Sequence, residues 1–482
     1  MANKESPVRM TRRQMLKLSG ALAAGSVLAA CGGETAPQSA NPTSAGPTAA
    51  AALAPTAAPA ASPVSAATAQ APAQGKQAKV VVMHDPKELT PDMIKQFEAA
   101  NPEIKIDFIE RDPTRFFAMY AAGNPPDLVR TQAPDIPQYL ARNMLMDLTP
   151  YFQTSQVVKL DDLAPSNDYY KANSPLEIGQ GKIYGMCKDW SPDHTLFAYK
   201  KAFDEAGVAV PDAAKPLTYQ EVFDLAHKLT KRQGDRTARW GYAYDAAWVD
   251  RIIMNMLAEK GQKLYTDNLT RLDLTGNGEA KVAAKYFFDL AKENLIANPL
   301  NPSPSWIGED FTKGTVGLIQ YGFWFSAMAE SDVTKGQVVM LPAPMWAGQR
   351  LDPTITATGM VMSASSKVPD AAWKLFEWFN GEGPAVDRSK SGWGVPALKS
   401  MYQYIPQQSE FQKQAQKVLQ DELTHTGAPI QFSPYISGNT FADSWAKNLE
   451  QALRGSLTFD QMLENVEKEV NAAIQEGKER IG

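Results

Sequence analysis

The sequence predicts an α/β protein of two lobes, preceded by an export signal and a long disordered tether. About 400 residues remain from Lys76 onward, and this exceeds the roughly 250–300 residues that a single hydrophobic core usually serves. The same region alternates short apolar strands with amphipathic helices. It opens with a strand–helix–strand unit, which favours a parallel sheet with helices on its faces.

The first residues are typical of a bacterial export signal. Arg12 and Arg13 form a twin-arginine pair in a basic segment, and the apolar run 18–30 follows them. That run is shorter than the roughly 20 apolar residues of a membrane-spanning helix. It ends in Leu-Ala-Ala-Cys at 28–31, a sequence that resembles a lipobox. We therefore expect a signal peptide over residues 1–31, cleavage before Cys31 and acylation of its thiol.

Residues 32–78 are predicted to form a disordered tether. As far as Gly75 the segment is mainly Ala, Pro, Thr, Ser and Gln, with one charged residue, Glu34, and no aromatic residue. Such a composition buries too little apolar surface to offset the entropy cost of ordering the backbone. Its prolines favour an extended chain, which would hold the folded body away from the membrane.

Charge and cysteine content narrow the class of protein. The chain carries a formal net charge of −5 and has no basic cluster after the signal, which argues against a nucleic-acid partner. No long apolar segment follows the signal, so only the lipid would attach the protein to the cell membrane. With Cys31 acylated, Cys187 has no second cysteine to pair with, and the body must rely on its core.

Local signals mark the first elements of the body. An apolar run over 80–83 predicts a strand, and Thr90 with Pro91 predicts the start of a helix. Residues 104–108 alternate as in a second strand, and 127–129 resemble the tip of a third.

Later helices are also marked by their caps. Thr218 and Glu221 have the spacing of a capping box before an apolar stripe. Residues 372–379 repeat that stripe. Thr458 with Gln461 predicts the start of a C-terminal helix, which we expect to stop near Gly477.

The sequence lacks the usual catalytic motifs. It contains no His-Glu-x-x-His zinc motif, no Gly-x-Ser-x-Gly elbow and no phosphate-binding Gly-x-x-x-x-Gly-Lys loop. None of its four histidines has a cysteine at metal-ligand spacing. We therefore expect neither a metal nor a cofactor. Carboxylates are numerous, so a glycoside hydrolase, which needs a pair of them flanking the scissile bond, stays open.

Aromatic residues beside polar ones in loops indicate a different chemistry. Trp190, Trp248, Trp324 and Trp393 all have this setting. A sugar ring offers one apolar C–H face to an aromatic ring and a polar rim to hydrogen-bonding side chains. Trp373 and Trp378 lie within a helical pattern, and we expect them to pack in the core.

Several segments form a family pattern when taken in order. They are 122–127 (Ala-Gly-Asn-Pro-Pro-Asp), 181–186 (Gly-Lys-Ile-Tyr-Gly-Met), 196–203, 311–314 followed by 322–324, and 356–360. With the lipobox before them, they resemble the family 1 extracellular solute-binding proteins, the maltose-binding-like receptors of ABC importers. The resemblance runs from about Lys79 to the C-terminus.

The resemblance implies the type II periplasmic-binding-protein fold, with two hinged α/β lobes around a ligand cleft. The N-terminal lobe would comprise 79–195 and 360–402, and the C-terminal lobe 196–359 and 403–482. Crossings between the lobes are expected near 196–200 and 356–362.

The resemblance also implies which residues line the cleft. Its positions correspond to Asp85, Glu110, Gln132, Asp135, Asp193, Trp248 and Trp324 here. Trp190 and Trp393 join them through the aromatic pattern, and Gly359 through its place in the last matched segment.

The function implied is capture of a sugar or oligosaccharide by lobe closure, for delivery to the membrane permease of an ABC importer. The protein would be a monomeric lipoprotein outside the cytoplasm and not an enzyme. Two alternatives stay open: a secreted glycoside hydrolase, and a receptor for another polar solute such as a polyol phosphate or a polyamine. Sustained product release would favour the hydrolase, and stoichiometric binding without turnover would favour a receptor.

Overall fold

The computed structural model describes residues 77–234 and 236–481, which lie within one compact unit. Arg12, Arg13, the acylation site Cys31 and the tether as far as residue 76 lie outside the described residues. The first strand begins at Ala78, the last residue that the sequence assigned to the tether. No helix in the described part of the chain is both long and apolar enough to cross a membrane.

Strands and helices alternate along most of the described chain. The strands are β1 Ala78–His84, β2 Ile104–Glu110, β3 Leu128–Thr131, β4 Lys171–Ser174, β5 Glu177–Ile183, β6 Gly185–Cys187, β7 Asp189–Trp190, β8 Leu196–Tyr199, β9 Lys231–Gln233, β10 Arg236–Tyr244, β11 Tyr265–Thr266, β12 Arg271–Leu272, β13 Val316–Gln320, β14 Val338–Leu341, β15 Gly359–Met362 and β16 Val395–Pro396. The helices are α1 Pro91–Ala100, α2 Pro113–Ala121, α3 Ile136–Ala141, α4 Thr149–Thr154, α5 Lys200–Ala206, α6 Tyr219–Leu229, α7 Val249–Ala258, α8 Gly278–Lys292, α9 Ile307–Thr312, α10 Ser326–Ala329, α11 Pro369–Gly381, α12 Gly383–Ser391, α13 Glu410–Glu422, α14 Thr440–Leu453 and α15 Phe459–Ile481.

The first sheet has the strand order β2-β1-β3-β15-β6. The strands β2 and β3 run parallel to β1, while β15 is antiparallel to both β3 and β6. The predicted strand–helix–strand unit is confirmed by β1, α1 and β2. Because β1, β2 and β3 are parallel, their carboxyl ends, near His84, Glu110 and Thr131, lie at one edge of the sheet, where α/β proteins commonly bind ligands.

The second sheet has the order β14-β8-β13-β10-β9. The strands β10 and β13 are parallel, and the remaining pairs are antiparallel. Helix α6 packs on β10 and α13 packs on β14. The carboxyl ends of β10 and β13, Tyr244 and Gln320, are neighbours in the register, so the loops that follow them lie side by side.

The chain crosses between the sheets in three segments. It leaves the first sheet over 191–195, returns over 342–358, and crosses again after β16 to reach α13. The predicted crossings near 196–200 and 356–362 lie beside or overlap these segments and include β8 and β15. The lobe boundaries given above stay a prediction.

Caps placed the helix starts correctly, whereas one predicted helix end is wrong. The Thr90 hydroxyl accepts from the Met93 amide at 3.3 Å, and Thr218 with Glu221 forms the capping box. Helix α15 does not stop near Gly477 but continues to Ile481. A Cβ on Gly477 would lie 1.8 Å from the Tyr435 carbonyl oxygen, so this glycine permits close packing and does not end the helix.

The helical tryptophans lie in the core, as expected. Trp373 is buried and stacks on Phe376 at 4.9 Å between ring centroids. Trp378 is half-buried and packs against Phe97 at 5.2 Å. Neither residue lines the cavity described below.

Candidate ligand cleft

A cavity of about 200 Å³ lies between the two sheets. Its lining divides by origin into three groups. Glu88, Arg130, Gln132, Lys188, Asp189, Trp190 and Trp393 come from the first-sheet side, Asp245, Trp248, Trp306 and Trp324 from the second, and Thr356 and Thr358 from a crossing segment. Both sides of the molecule therefore contact whatever occupies this cavity.

Tryptophans form one wall of the cavity around Trp324. Its ring centroid lies 5.7 Å from that of Trp393, 6.2 Å from Trp248 and 6.1 Å from Trp306. The planes of Trp306 and Trp324 differ by only 25°, so the two rings lie nearly parallel. Aromatic faces of this kind suit the apolar side of a sugar ring.

Just before Trp324, the backbone passes very close to the crossing segment 191–195. Gly322 comes after the end of β13, and a Cβ there would lie 2.2 Å from both Ser191 Oγ and an Asp193 carboxylate oxygen. Only glycine allows the chain this close. The short 3₁₀ turn Phe323–Phe325 then directs Trp324 to the cavity.

A charged cluster forms another part of the cavity wall. Arg130 Nε and Nη2 donate to the two carboxylate oxygens of Glu88 at 3.0 and 2.9 Å. Lys188 Nζ lies 3.4 Å from Glu88 Oε1 and also donates to Asp189. The charges of two acidic and two basic side chains thus compensate one another. Charges that are almost buried need such partners.

The protonation of this cluster follows from its geometry. Burial alone would raise the pKa of Glu88, but Lys188 and Arg130 overcome this and hold it well below its usual value. Burial raises the pKa of Asp189, although Lys188 opposes the effect. Behind them, burial lowers the pKa of His84 to about 3, so this imidazole is neutral and adds no charge. Hydroxyls of a bound molecule would find both donors and acceptors on this wall.

Five of the residues predicted for the cleft line the cavity together. They are Gln132, Trp190, Trp248, Trp324 and Trp393. Gln132 Nε2 donates to Thr358 Oγ1 at 3.4 Å. Trp190 is largely buried and donates from Nε1 to the Pro396 carbonyl at 3.3 Å, so it offers only part of its ring.

Two of the predicted acids occupy strand ends without reaching the cavity. The Asp85 carboxylate follows β1 and accepts from the Lys87 amide at 2.8 Å, which turns it into the cap of a tight turn. Glu110 ends β2 and is exposed.

Asp135 and Gly359 are also placed outside the cavity lining. Asp135 accepts from Thr131 Oγ1 at 3.3 Å and lies 3.8 Å from Arg111 Nη2. A Cβ on Gly359 would lie 2.2 Å from the Met186 carbonyl oxygen, so this glycine allows β15 and β6 to pair closely. Both residues make contacts within the protein, and their predicted ligand contact stays a prediction.

Asp193 joins two crossing segments and does not line the cavity. Its carboxylate accepts from Ser191 Oγ and from the backbone amides of Ile355 and Thr356. The Thr354 and Thr356 hydroxyls donate to it as well. With 2% of its surface exposed, this side chain is engaged with the protein itself, and its contact with a ligand stays a prediction.

The charged wall and Trp306 were missed by the sequence reasoning. Arg130 is a charge within the short apolar strand β3, and Lys188-Asp189 is a charged pair beside Trp190. A charge in a buried strand must find a partner, so these positions carried a usable signal. Glu88 lies in a loop without a comparable signal, whereas Trp306, which follows Ser303-Pro304-Ser305, carried the same signal as the other loop tryptophans.

A larger cavity, of about 720 Å³, lies elsewhere. It is bounded by α7, the loops 262–269 and 426–431 and part of the second crossing segment. None of the residues predicted for the cleft lines it, and its walls lack the compensated charges of the smaller cavity. We therefore take the smaller cavity as the candidate site.

Comparison with known proteins bears on the family and on the fold. A family model described as bacterial extracellular solute-binding protein matches residues 82–386. No curated protein sequence matches the chain.

Several solved structures share the fold. An ABC substrate-binding protein from Listeria monocytogenes, in complex with cycloalternan, is 21% identical with a TM-score of 0.69, covering 83% of this chain and 100% of the other. A solute-binding protein from Thermotoga lettingae bound to α-D-tagatose is 18% identical, with a TM-score of 0.66 and coverage of 83% and 100%. A binding protein from B. animalis subsp. lactis with β-1,6-galactobiose is 19% identical, with a TM-score of 0.64 and coverage of 84% and 98%. The predicted two-lobed periplasmic-binding-protein architecture is thereby confirmed.

Proposed function

Because the chain belongs to the bacterial extracellular solute-binding proteins, which act outside the cytoplasm, we propose that it captures a carbohydrate for an ABC importer. The ligand lies between the lobes, and the loaded protein presents it to the permease. A ligand favours the closed state only if it contacts both lobes in that state better than in the open one. The cavity meets this requirement, since each side contributes to its lining.

One observation carries the carbohydrate assignment: several tryptophans and a compensated charged cluster line the same cavity of about 200 Å³. The first matches the C–H face of a sugar, and the second matches its hydroxyl rim. The sugars in the related structures agree with this chemistry. Such a ligand needs no net charge, because the cluster facing it already balances.

The proposal includes binding without turnover. A glycoside hydrolase needs a carboxyl group that is protonated and can donate its proton to the leaving oxygen. Glu88 is held ionised by Arg130 and Lys188, and Asp189 is hydrogen-bonded to Lys188. We expect a bound oligosaccharide to be recovered intact after prolonged incubation, and accumulation of shorter sugars would favour the hydrolase alternative.

Replacing Trp324 by alanine is expected to weaken sugar binding by about 1–3 kcal/mol, because it removes an aromatic face from the centre of the wall. The sugar is first chosen by a thermal-shift screen, in which a ligand at 100 times its Kd stabilises by about 2.7 kcal/mol. Calorimetric titration then gives the affinity of the variant.

The matched control for this variant is Trp378→Ala, which removes a half-buried tryptophan away from the cavity. The control should keep its affinity and lose some stability. A large drop in the melting temperature of Trp324→Ala with unchanged affinity would show that Trp324 is only a packing residue.

Membrane attachment is part of the proposal and rests on sequence alone. We infer that Arg12 and Arg13 direct export, that lipid on Cys31 anchors the protein, and that it acts as a monomer at the end of the tether. The folded body begins at Ala78, so 46 residues separate it from Cys31. Attachment and folding are then independent.

Cys31→Ala is expected to release the protein from the membrane and to leave the melting temperature unchanged. Fractionation of cells expressing the wild type and the variant measures the first effect, and thermal unfolding of the purified proteins measures the second. Persistence of the variant in the washed membrane fraction would refute lipid attachment at this residue.

A further inference from the structure

A buried arginine lies beside the cleft, where the two sides of the molecule meet. Arg251 is in the first turn of α7, three residues after the cleft residue Trp248, and only 3% of its surface is exposed. Near it, Asp135 ends the short turn that follows the cleft residue Gln132. Trp248 belongs to the second-sheet side and Gln132 to the first, so Arg251 and Asp135 come from different sides of the molecule.

The backbone at Gly438 shows how closely the two sides approach. Its carbonyl oxygen accepts from Arg251 Nη2 at 3.4 Å. A Cβ on Gly438 would lie 3.2 Å from Arg251 Nη2, 3.8 Å from an Asp135 carboxylate oxygen and 3.1 Å from Pro134 Cβ. Gly438 precedes α14, which packs on α7, and therefore belongs with the second-sheet side. Pro134 and Asp135, from the first-sheet side, thus lie against the surroundings of the Arg251 guanidinium.

Arg251 has few partners for a buried charge. Its Nε and Nη1 are buried and have no hydrogen-bond partner within the part of the chain that the structure describes. Asp135 is shared with Arg111 of the first-sheet side, whose Nη2 lies 3.8 Å from the carboxylate. The Nε of Arg111 is also buried without an acceptor among the described residues. Each buried donor that lacks an acceptor makes this arrangement of the two sides less favourable than one in which water reaches the donor.

The acids near Arg251 attract it without accepting from these nitrogens. Burial raises the pKa of Asp135, while Arg111 and then Arg251 oppose the effect through their charges. Burial likewise raises the pKa of Asp250 to about 6, and the charge of Arg251 opposes this. One oxygen of Asp250 is itself buried without a donor from the described chain. Attraction of this kind offsets only part of the cost of removing a guanidinium group from water.

We propose that Arg251 opposes closure of the empty cleft and so keeps the free protein open until a ligand joins the two sides. In the arrangement described above, the guanidinium is shielded from water. When the lobes part, Pro134 and Asp135 move away from it, and water can accept from its free N–H groups. Contacts of the ligand with both sides must exceed this cost before the closed state is populated.

This inference rests on the proposed capture of a ligand by lobe closure. Arg251 does not line the cleft cavity, so it is a positioning residue that acts on affinity through the arrangement of the lobes. Arg251→Met removes the charge and all of the side-chain donors but retains a long side chain. The closed arrangement of this variant then contains no unpartnered guanidinium.

The first measurement is small-angle X-ray scattering of the empty proteins. The radius of gyration of the wild type should fall when the screened sugar is added, and empty Arg251→Met should already have the smaller value. The N-terminal segment is common to every sample and does not affect the comparison. A wild type whose radius of gyration is the same with and without bound sugar would overturn the inference without recourse to any variant.

Ligand affinity, measured by calorimetry, is the second readout. Arg251→Met should bind the sugar about tenfold more tightly than the wild type, because closure no longer buries unpartnered donors. Should methionine prevent folding, Arg251→Gln removes the charge and leaves fewer donors, and it should change the affinity in the same direction by a smaller factor. Unchanged or weaker binding by a folded variant would overturn the inference.

The matched control is Arg239→Met. Arg239 lies in β10 and is 7% exposed, but each of its three nitrogens has an acceptor. The acceptors are the Leu229 carbonyl, the Glu205 carboxylate and the Ala202 carbonyl. This variant should have a lower melting temperature and keep the sugar affinity and the radius of gyration of the wild type. Equal gains in affinity for both arginine variants would contradict a specific role of Arg251.

The outcomes separate this inference from the proposed function. If the wild type binds no sugar in the screen, the proposed function fails, and the radii of gyration of the empty wild type and empty Arg251→Met still decide the role of Arg251. If the wild type binds a sugar and Arg251→Met binds it equally well, sugar capture stands and the inference about Arg251 fails.

Discussion

Replacing Asp193 by alanine is expected to destabilise the folded protein by about 3–5 kcal/mol, because the change strips five donors of their common acceptor. Two of the donors are the Ile355 and Thr356 amides, at 2.8 and 3.2 Å from the carboxylate. A buried amide without an acceptor costs about 1–3 kcal/mol. The free energy of unfolding, measured by urea titration, should therefore fall steeply.

Asp193→Asn is the matched control. It keeps the shape and one carbonyl oxygen, so part of the hydrogen bonding persists and the loss should be smaller than for alanine. The opposite result is equally informative. If Asp193→Ala kept full stability and lost only its sugar affinity, Asp193 would be a ligand residue, as the family resemblance implied.

Raising the pH is expected to destabilise the protein through the buried carboxyl pair Asp352 and Glu422. Asp352 Oδ1 accepts from the His194 amide at 2.7 Å, and Glu422 Oε1 lies 3.1 Å from Arg350 Nη1. The other oxygen of each carboxyl is buried without a donor from elsewhere in the described chain, and the two carboxyls lie within hydrogen-bonding reach of each other. Such a pair can bond only if it holds a proton.

The direction of the effect follows from linkage. Burial raises the pKa of Asp352 to about 8, and burial together with Asp352 raises the pKa of Glu422 as well. His194 is neutral here, since burial lowers its pKa to about 4. In the unfolded chain both carboxyls ionise near pH 4. Since Glu422 has the higher pKa of the two, about 10, the folded state keeps a proton that the unfolded state has lost. The stability contributed by the pair is present in acid and falls between about pH 4 and about pH 10, by up to about 1.4 kcal/mol per pH unit for each proton.

Glu422→Gln provides the comparison that isolates the pair. A glutamine amide can donate to Asp352 without any bound proton, so the pH dependence due to the pair should vanish. Urea titrations at several values between about pH 5 and about pH 8 should show that the free energy of unfolding of the wild type falls relative to that of the variant as the pH rises. Parallel curves for the two proteins would contradict a shared proton.

Signals confined to a few residues predicted the local structure well. The caps at Thr90 and Thr218 fix their helices because the side chain and the amide it satisfies are three residues apart. The four loop tryptophans reached the cavity for a similar reason, since an aromatic ring in a polar loop is visible without knowledge of the fold. Gly477 was misread because its partner, Tyr435, is distant in sequence.

The charged wall depends on contacts between residues that are far apart in the sequence, so no short stretch of sequence reveals them. Glu88 and Arg130 are 42 residues apart, and Lys188 comes from a third region of the chain. Position at a strand end made Asp85 and Glu110 reasonable candidates. However, Asp85 is drawn into a turn by the Lys87 amide, and Glu88, three residues later, reaches the cavity instead. Strand order determines which edge holds the ligand, but loop geometry determines which acid faces it.

The contact between Trp324 and Trp393 has an optical consequence. Their centroids are 5.7 Å apart, yet Trp324 follows a strand of the second sheet and Trp393 precedes β16, which pairs with β7 on the first-sheet side. Any hinge motion that parts the lobes must separate the two indoles and expose both to water. The intrinsic fluorescence of the unlabelled protein thus reports its own opening and closing, and a stopped-flow mixing experiment can time the capture of a ligand without an attached dye.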